Sequence, residues 1–141
     1  NGALTLFEDG AEKTQIYRYP SRAECVSCHT AVGGFALGFN TEQLNRPWTA
    51  APGGTNTIEV LGRAGYFSQP VTNLHSLRRL ASIADASASL ETRARSYLSA
   101  NCSQCHQPGG PTPTAFDLRF RTPLSQTRLI HSVPANPLGD S

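Results

Sequence analysis

Residues 25–29 read Cys-Val-Ser-Cys-His, and residues 102–106 read Cys-Ser-Gln-Cys-His. Both stretches follow the pattern C-x-x-C-H, which is the spacing of covalent attachment sites for c-type haem. On a helical turn, residues i, i+3 and i+4 share one face, so two thiols can form thioethers with one porphyrin while the following imidazole reaches its iron. The two motifs use all four cysteines of the chain. The sequence therefore predicts two covalently attached haems c, bound by Cys25, Cys28, His29, Cys102, Cys105 and His106.

Two alternatives account for the cysteines without haem. A zinc site of four cysteines pairs two C-x-x-C knuckles about 15 to 20 residues apart, and Cys28 and Cys102 are separated much more widely. Local disulfides or a redox C-x-x-C pair are the second alternative. Neither explains the histidine that directly follows each motif. Haem is therefore the favoured interpretation, and a zinc- or disulfide-stabilised binding module is the non-haem alternative.

The composition bounds the class of protein. The chain has 141 residues, of which 38% are hydrophobic and 16% charged, with a net charge of +2. These values exclude a disordered polyelectrolyte, and no basic tract suits nucleic acid. No run approaches the roughly 18 to 20 apolar residues that a membrane span requires. Twelve glycines and ten prolines indicate a backbone rich in turns.

The local patterns favour helices. Leu90, Ala94, Tyr97 and Leu98 recur at helical spacing and form a single face that leads into the second motif. Residues 1–20 are expected to form an irregular arm, and no segment indicates a convincing strand. Helical segments are predicted at 22–29, 40–44, 56–65, 74–81, 89–101 and 124–131. The segments at 40–44 and 56–65 begin with capping residues, and the segment at 74–81 carries an apolar stripe.

The two motifs indicate a weak internal repeat, and a double glycine follows each one, at residues 33–34 and 109–110. A residue without a side chain lets the backbone pass close to a porphyrin, and it also suits a turn that ends a helix. The Ala- and Ser-rich run at 85–89 is the predicted joint. The first haem-binding half is thus expected at 1–84 and the second at 85–141, packed tightly as one unit.

Further segments around the motifs carry a family resemblance. They read YPSRAE at 19–24, LGFNTEQLNR at 37–46, SLETRARSYL at 89–98 and DLRF at 117–120. Together with the motifs, they resemble the di-haem c-type cytochrome modules of large secreted bacterial multidomain proteins. The resemblance covers the chain from residue 19 to about residue 127. It implies an all-α fold of two cytochrome c-like haem-binding halves, rich in loops and with little or no strand.

The resemblance also implies electron transfer and export before haem attachment. Some such modules accompany sugar-oxidising or polysaccharide-active domains, so the expected partner is a redox protein or an adjoining domain such as a carbohydrate-oxidising enzyme. The expected location is periplasmic or extracellular in a bacterium, with a cleaved leader or an upstream domain preceding Asn1. Related modules often continue past the equivalent of residues 138–140 with a Met-containing segment. This chain has no Met, which indicates either an absent C-terminal part or a different ligation.

The sixth ligand of each iron is expected from the remaining histidines, which are His75 and His131. The simplest hypothesis is two bis-histidine haems, His29/His75 and His106/His131. An asparagine, Lys13, a tyrosine, the amino terminus or an open position are the alternatives. Six-coordinate irons leave no position for a substrate, which favours an electron carrier without catalytic residues. The alternative enzyme is a di-haem peroxidase with one open iron.

Guanidinium groups pair well with carboxylates, and the chain has eleven arginines against one lysine. Some of these arginines are therefore expected to bind haem propionates. The candidates are Arg22, Arg46, Arg63, Arg78, Arg79, Arg119 and Arg121.

Overall fold

The computed structural model describes residues 2–50 and 52–133. Within these ranges, two strands and four short α-helices are joined by long irregular segments. The regular elements in chain order are β1 (Gly2–Glu8), β2 (Ala11–Tyr17), α1 (Arg22–Cys28), α2 (Thr41–Leu44), α3 (Thr57–Arg63) and α4 (Leu90–Asn101). Single 3₁₀ turns occur at Pro52–Gly54, Leu74–Ser76 and Leu124–Gln126.

The prediction of an all-α fold with little or no strand is wrong, because the amino-terminal segment forms an antiparallel β-hairpin. The strands β1 and β2 pair from Gly2 opposite Tyr17 to Glu8 opposite Ala11. Between them, Asp9 and Gly10 have φ angles of 53° and 78°. Such a pair of positive φ values suits a two-residue hairpin turn whose twist matches that of the strands, and Asp-Gly is a preferred sequence there. The expected irregular arm is therefore regular, and the architecture mixes helices with a small sheet.

Four of the predicted helices are confirmed, at 22–29, 40–44, 56–65 and 89–101, with small differences at their ends. Each begins after a residue whose side-chain oxygen accepts a hydrogen bond from a backbone N–H of the first turn, which stabilises the helix start. The capping residues are Ser21, Asn40, Asn56 and Ser89.

The helices predicted at 74–81 and 124–131 are wrong, because each segment forms only one 3₁₀ turn. In the first segment, the side chain of Asn45 takes the carbonyl groups that a helix would use. In the second, Arg128 and His131 have φ angles of 57° and 60°, which end any helix. Tertiary hydrogen bonds and backbone geometry therefore override the apolar periodicity in both segments.

The interior of the described residues is small and largely polar. Ile58 and Leu118 are its only buried hydrophobic side chains, and eighteen large hydrophobic side chains are exposed across the same ranges. On α4, Leu90 and Tyr97 of the predicted apolar face are 74% and 53% exposed, whereas Ser96 is 2% exposed. Hydrogen bonding thus decides which face of α4 packs inward, since Ser96 Oγ accepts from the backbone N–H of residue 81 at 3.0 Å.

Across the described ranges, none of the helices has the length and apolar character needed to cross a membrane. The division into halves at residues 84 and 85 stays a prediction. The last part of the predicted second half, residues 134–141, lies outside the described residues.

Candidate functional site

The first motif forms the end of α1. Cys25 and Cys28 lie one turn apart on this helix, and the backbone N–H of His29 donates to the Cys25 carbonyl at 3.0 Å. Both thiols are free, and all three side chains are exposed. The local helix therefore places the two cysteines one turn apart with the histidine directly after them, which is the local geometry that the motif predicts.

The imidazole of His29 is oriented by the turn that follows it. Its Nδ1 donates to the carbonyl oxygen of Phe35 at 2.6 Å. Phe35 adopts a φ of 57°, and its own N–H donates to the Thr30 carbonyl at 2.9 Å, so the turn folds back over the histidine. Because a carbonyl can only accept, the neutral ring carries its proton on Nδ1 and its lone pair on Nε2. Nε2 has no hydrogen-bond partner among residues 2–50 and 52–133. A bonded Nδ1 with an available Nε2 is typical of metal-ligating histidines.

The second motif follows α4 directly. Cys102 caps this helix, and the backbone N–H of His106 donates to the Cys102 carbonyl at 2.9 Å. The Nδ1 of His106 lies 2.8 Å from the hydroxyl of Thr114, and its ring lies 6.5 Å from that of Phe116. A hydroxyl can accept from Nδ1 or donate to it, so this contact orients the ring of His106 without fixing which nitrogen carries the proton. The second motif is half-buried, whereas the first is exposed.

Glycines after the motifs are required by the path of the backbone. A Cβ atom at Gly110 would overlap the carbonyl oxygen of Cys105. A Cβ atom at Gly33 would lie 3.3 Å from the carbonyl oxygen of Gln104, which belongs to the other motif. The double glycines therefore permit a close backbone approach that links the two motifs.

The fold brings the two motifs side by side, which their distant positions in the sequence did not predict. Besides the Gly33 approach, a Cβ atom at Gly109 would touch Val32 Cγ2 at 3.6 Å. The thiols of Cys28 and Cys105 are also close to each other. Burial raises the pKa of the Cys105 thiol, and the nearby Cys28 thiol raises it further. Cys28 and Cys105 are thus neighbours, although they belong to different motifs.

A network centred on Asp117 supports the second motif, and sequence analysis did not single out this residue. The N–H of Leu118 donates to the His106 carbonyl at 2.9 Å, so the segment runs along the motif. The buried carboxylate of Asp117 accepts from Nε and Nη2 of Arg119 at 2.8 and 2.5 Å and from the Thr122 hydroxyl at 2.8 Å. These bonds, the Arg119 contact first, lower the pKa of Asp117 to about 2. The signal in the sequence was an acid and a base two residues apart.

The candidate propionate-binding arginines differ in the cavity or ion pair to which they belong. Arg78, Arg119 and Arg121 line a cavity of about 410 Å³ that also touches Gly33 and Gln104, one from each motif region. Within this cavity, Arg119 pairs with Asp117 and Arg78 lies 4.0 Å from Glu42. Of the remaining candidates, Arg63 forms an exposed ion pair with Glu59. Arg46 and Arg79 line a larger cleft of about 980 Å³.

The two remaining histidines are exposed. His75 lies on the 3₁₀ turn Leu74–Ser76, and His131 has a φ of 60°. Among residues 2–50 and 52–133, neither forms a hydrogen bond or ring contact with His29 or His106. The pairs His29/His75 and His106/His131 therefore stay predictions.

A bare metal ion and a haem iron need different numbers of ligands from the protein. No group of three or more His, Cys, Asp or Glu side chains in the described part of the chain could hold a metal ion. A zinc site of cysteines needs such a group. A haem iron takes four ligands from the porphyrin and needs only one or two from the protein. The free thiols and the oriented histidines fit that requirement.

Comparisons with protein-family models, curated proteins and solved structures gave no match. The resemblance to di-haem cytochrome modules therefore rests on the quoted segments alone.

Proposed function

We propose that the chain is a di-haem c-type cytochrome that carries electrons between a redox enzyme or domain and a downstream acceptor. The observation that carries this proposal is the setting of His29. Its Nδ1 is bonded to a backbone carbonyl at 2.6 Å, its Nε2 is free, and two free thiols precede it at the attachment spacing. His106 follows the second pair of cysteines in the same way, and its Nδ1 lies 2.8 Å from the Thr114 hydroxyl. A zinc site of four cysteines would use neither imidazole, and disulfides would give no reason for them.

The distribution of apolar surface supports the same function. Close to the first motif in sequence, the exposed apolar side chains are Val26, Val32, Phe35 and Phe39. A porphyrin bound at the first motif would give such side chains an apolar surface to pack against. Burial of about 400 Å² of apolar porphyrin at ~25 cal/mol per Å² would contribute about 10 kcal/mol. That contribution is similar to the whole stability of a small domain, about 5 to 15 kcal/mol.

The proximity of the motifs supports electron transfer between the two cofactors. Cys28 and Cys105, which each provide the second thioether of a motif, are neighbours in the fold. Electron transfer needs no acid or base at the iron, only cofactors held close together and closed to substrate. The chain's own residues then supply attachment, imidazole ligation and a surrounding that orients the groups.

Covalent haem attachment supports a periplasmic or extracellular location in a bacterium. The partner suggested by the resemblance is a redox protein or an adjoining domain, such as a carbohydrate-oxidising enzyme.

The test is the intact mass of the purified chain under denaturing conditions. A mass that exceeds the polypeptide by two haems is the expected result. Two matched variants assign them, since Cys25→Ala/Cys28→Ala and Cys102→Ala/Cys105→Ala should each lose one haem. The unmodified mass, or a mass lower by four hydrogens, would overturn the proposal and return the cysteines to zinc or disulfides.

A second measurement separates a carrier from an enzyme. The protein should be reduced by dithionite and reoxidised by a soluble electron acceptor with full recovery of its oxidised spectrum, and peroxide turnover should stay at the level of free haem c peptide. Turnover well above that level would contradict the carrier and favour a di-haem peroxidase.

A further inference from the structure

Asn45 is one of the few buried polar residues of the chain, with 7% of its surface exposed. It caps the carboxyl end of α2. Its Nδ2 donates towards three carbonyl oxygens of a distant segment, Leu77 at 2.9 Å, Arg78 at 3.3 Å and Leu74 at 3.5 Å. Its Oδ1 accepts from Asn56 Nδ2 at 2.8 Å. The amide therefore uses both ends in tertiary hydrogen bonds.

The segment held by Asn45 is the one that carries His75. The three carbonyl groups lie on both sides of His75 in the sequence, so their bonds fix the backbone that bears its imidazole. The segment has little regular structure of its own, since only the 3₁₀ turn Leu74–Ser76 is present. One further bond, from the N–H of Leu80 to the Glu42 carbonyl at 3.0 Å, ties its end to α2.

The same contacts relate the segment to the first motif. The helix α2 begins twelve positions after His29, directly beyond the turn that orients that imidazole. A segment bound to α2 is thus anchored to the part of the chain that follows the first motif. The second anchor, Asn56, caps α3 through its own Oδ1, which accepts from Ile58 N at 2.9 Å.

We propose that Asn45 is a positioning residue that holds the 74–78 segment so that His75 serves as the distal ligand of the first haem. This inference rests on the proposed function. The side-chain amide of Asn45 orders this irregular segment, because carbonyl groups that are bonded to a fixed donor restrict the backbone that carries them. These bonds hold the segment in a single conformation. His75 is thereby kept in position to ligate the iron of the first haem.

The test uses the haem-loaded protein, with two covalent haems confirmed by intact mass in every variant. Asn45→Ala removes the whole network. Asn45→Asp keeps an acceptor for Asn56 and loses only the donors, so it serves as the milder variant if Asn45→Ala folds poorly. Each protein is reduced with dithionite and mixed with carbon monoxide, and the Soret band is followed. Carbon monoxide takes the sixth position only when the distal ligand leaves it.

Both Asn45 variants should bind carbon monoxide at one haem per chain, and on the order of tenfold faster or more than the unaltered protein, given the loss of two or three hydrogen bonds. His75→Ala should bind at the same single haem and faster still. Combining Asn45→Asp with His75→Ala should add nothing. The matched control is Asn40→Ala, which removes the other cap of α2 and should leave carbon monoxide binding unchanged.

Two outcomes would overturn the inference while leaving two covalent haems in place. The first is an unaltered rate in both Asn45 variants. The second is a His75→Ala variant that binds carbon monoxide like the unaltered protein, since His75 would then not be the ligand. Absence of haem by mass would instead contradict the proposed function itself.

Discussion

Replacing Asp117 by asparagine should destabilise the folded protein by about 2 kcal/mol at pH 7. The carboxylate is 7% exposed and accepts hydrogen bonds from both Arg119 nitrogens, from the Arg119 backbone N–H and from the Thr122 hydroxyl. Its pKa in the folded protein is about 2, against an ordinary value of 3.8. Since one pKa unit corresponds to about 1.4 kcal/mol, the charged form contributes about 2 kcal/mol to the stability.

The sign of the pH dependence follows from the lowered pKa. The contribution is fully present well above pH 3.8 and is lost as the pH falls through about 2. About half of it should remain at pH 3 and little at pH 2. Asp117→Asn has no such titration, so the difference between the two proteins should shrink as the pH is lowered.

Urea denaturation of the haem-loaded proteins, followed by far-ultraviolet circular dichroism at pH 7, 5 and 3, measures this difference. Haem contributions are common to both proteins and cancel. The control is Glu8→Gln, which removes a fully exposed ion pair with Lys13 and should change stability by less than about 0.5 kcal/mol. A difference for Asp117→Asn that is below about 0.5 kcal/mol at pH 7, or that stays constant down to pH 3, would refute the reasoning.

Three further predictions concern the backbone and the core. Gly110→Ala should destabilise the protein by about 1 to 3 kcal/mol in a thermal scan, because its Cβ would overlap the Cys105 carbonyl. Gly62→Ala is the control: this residue lies inside α3 with room for a methyl group, so the substitution should raise the melting temperature. Gly10→Val places a branched residue at a φ of 78° and should remove hydrogen-exchange protection from the hairpin while leaving that of α4 intact, so equal loss in both would contradict a local turn role. A variant with all four cysteines replaced by serine should not hold a native fold, since the described residues bury only two hydrophobic side chains; a cooperative thermal transition in that haem-free protein would show otherwise.

Helix starts were the most predictable part of the fold. Asn40 and Asn56 each cap a helix as their sequence context indicated, because capping depends on groups within three residues. The hairpin was missed although its signal was equally local. An Asp-Gly pair such as Asp9-Gly10 favours a two-residue hairpin turn, and the strands on either side of it pair in the structure.

The apolar periodicity misled where distant polar groups compete. Leu74, Leu77 and Leu80 have helical spacing, yet the carbonyls of their segment are bound by Asn45, which lies some thirty positions earlier. On α4, buried Ser96 rather than Tyr97 faces inward. Spacing reports which side chains could share a face, but it does not report which face finds hydrogen-bond partners.

The sequence alone predicts the chemistry of the candidate site. Two thiols and an imidazole at positions i, i+3 and i+4 meet on one helical turn whatever the rest of the chain does, so the motif residues could be assigned without a structure. Only the tertiary structure decided that Cys28 lies beside Cys105, that Asp117 braces the second motif, and that Asn45 holds the segment bearing His75. Local spacing in the sequence cannot predict these three relations. They depend on the turns and tertiary hydrogen bonds that bring the segments together when the chain folds.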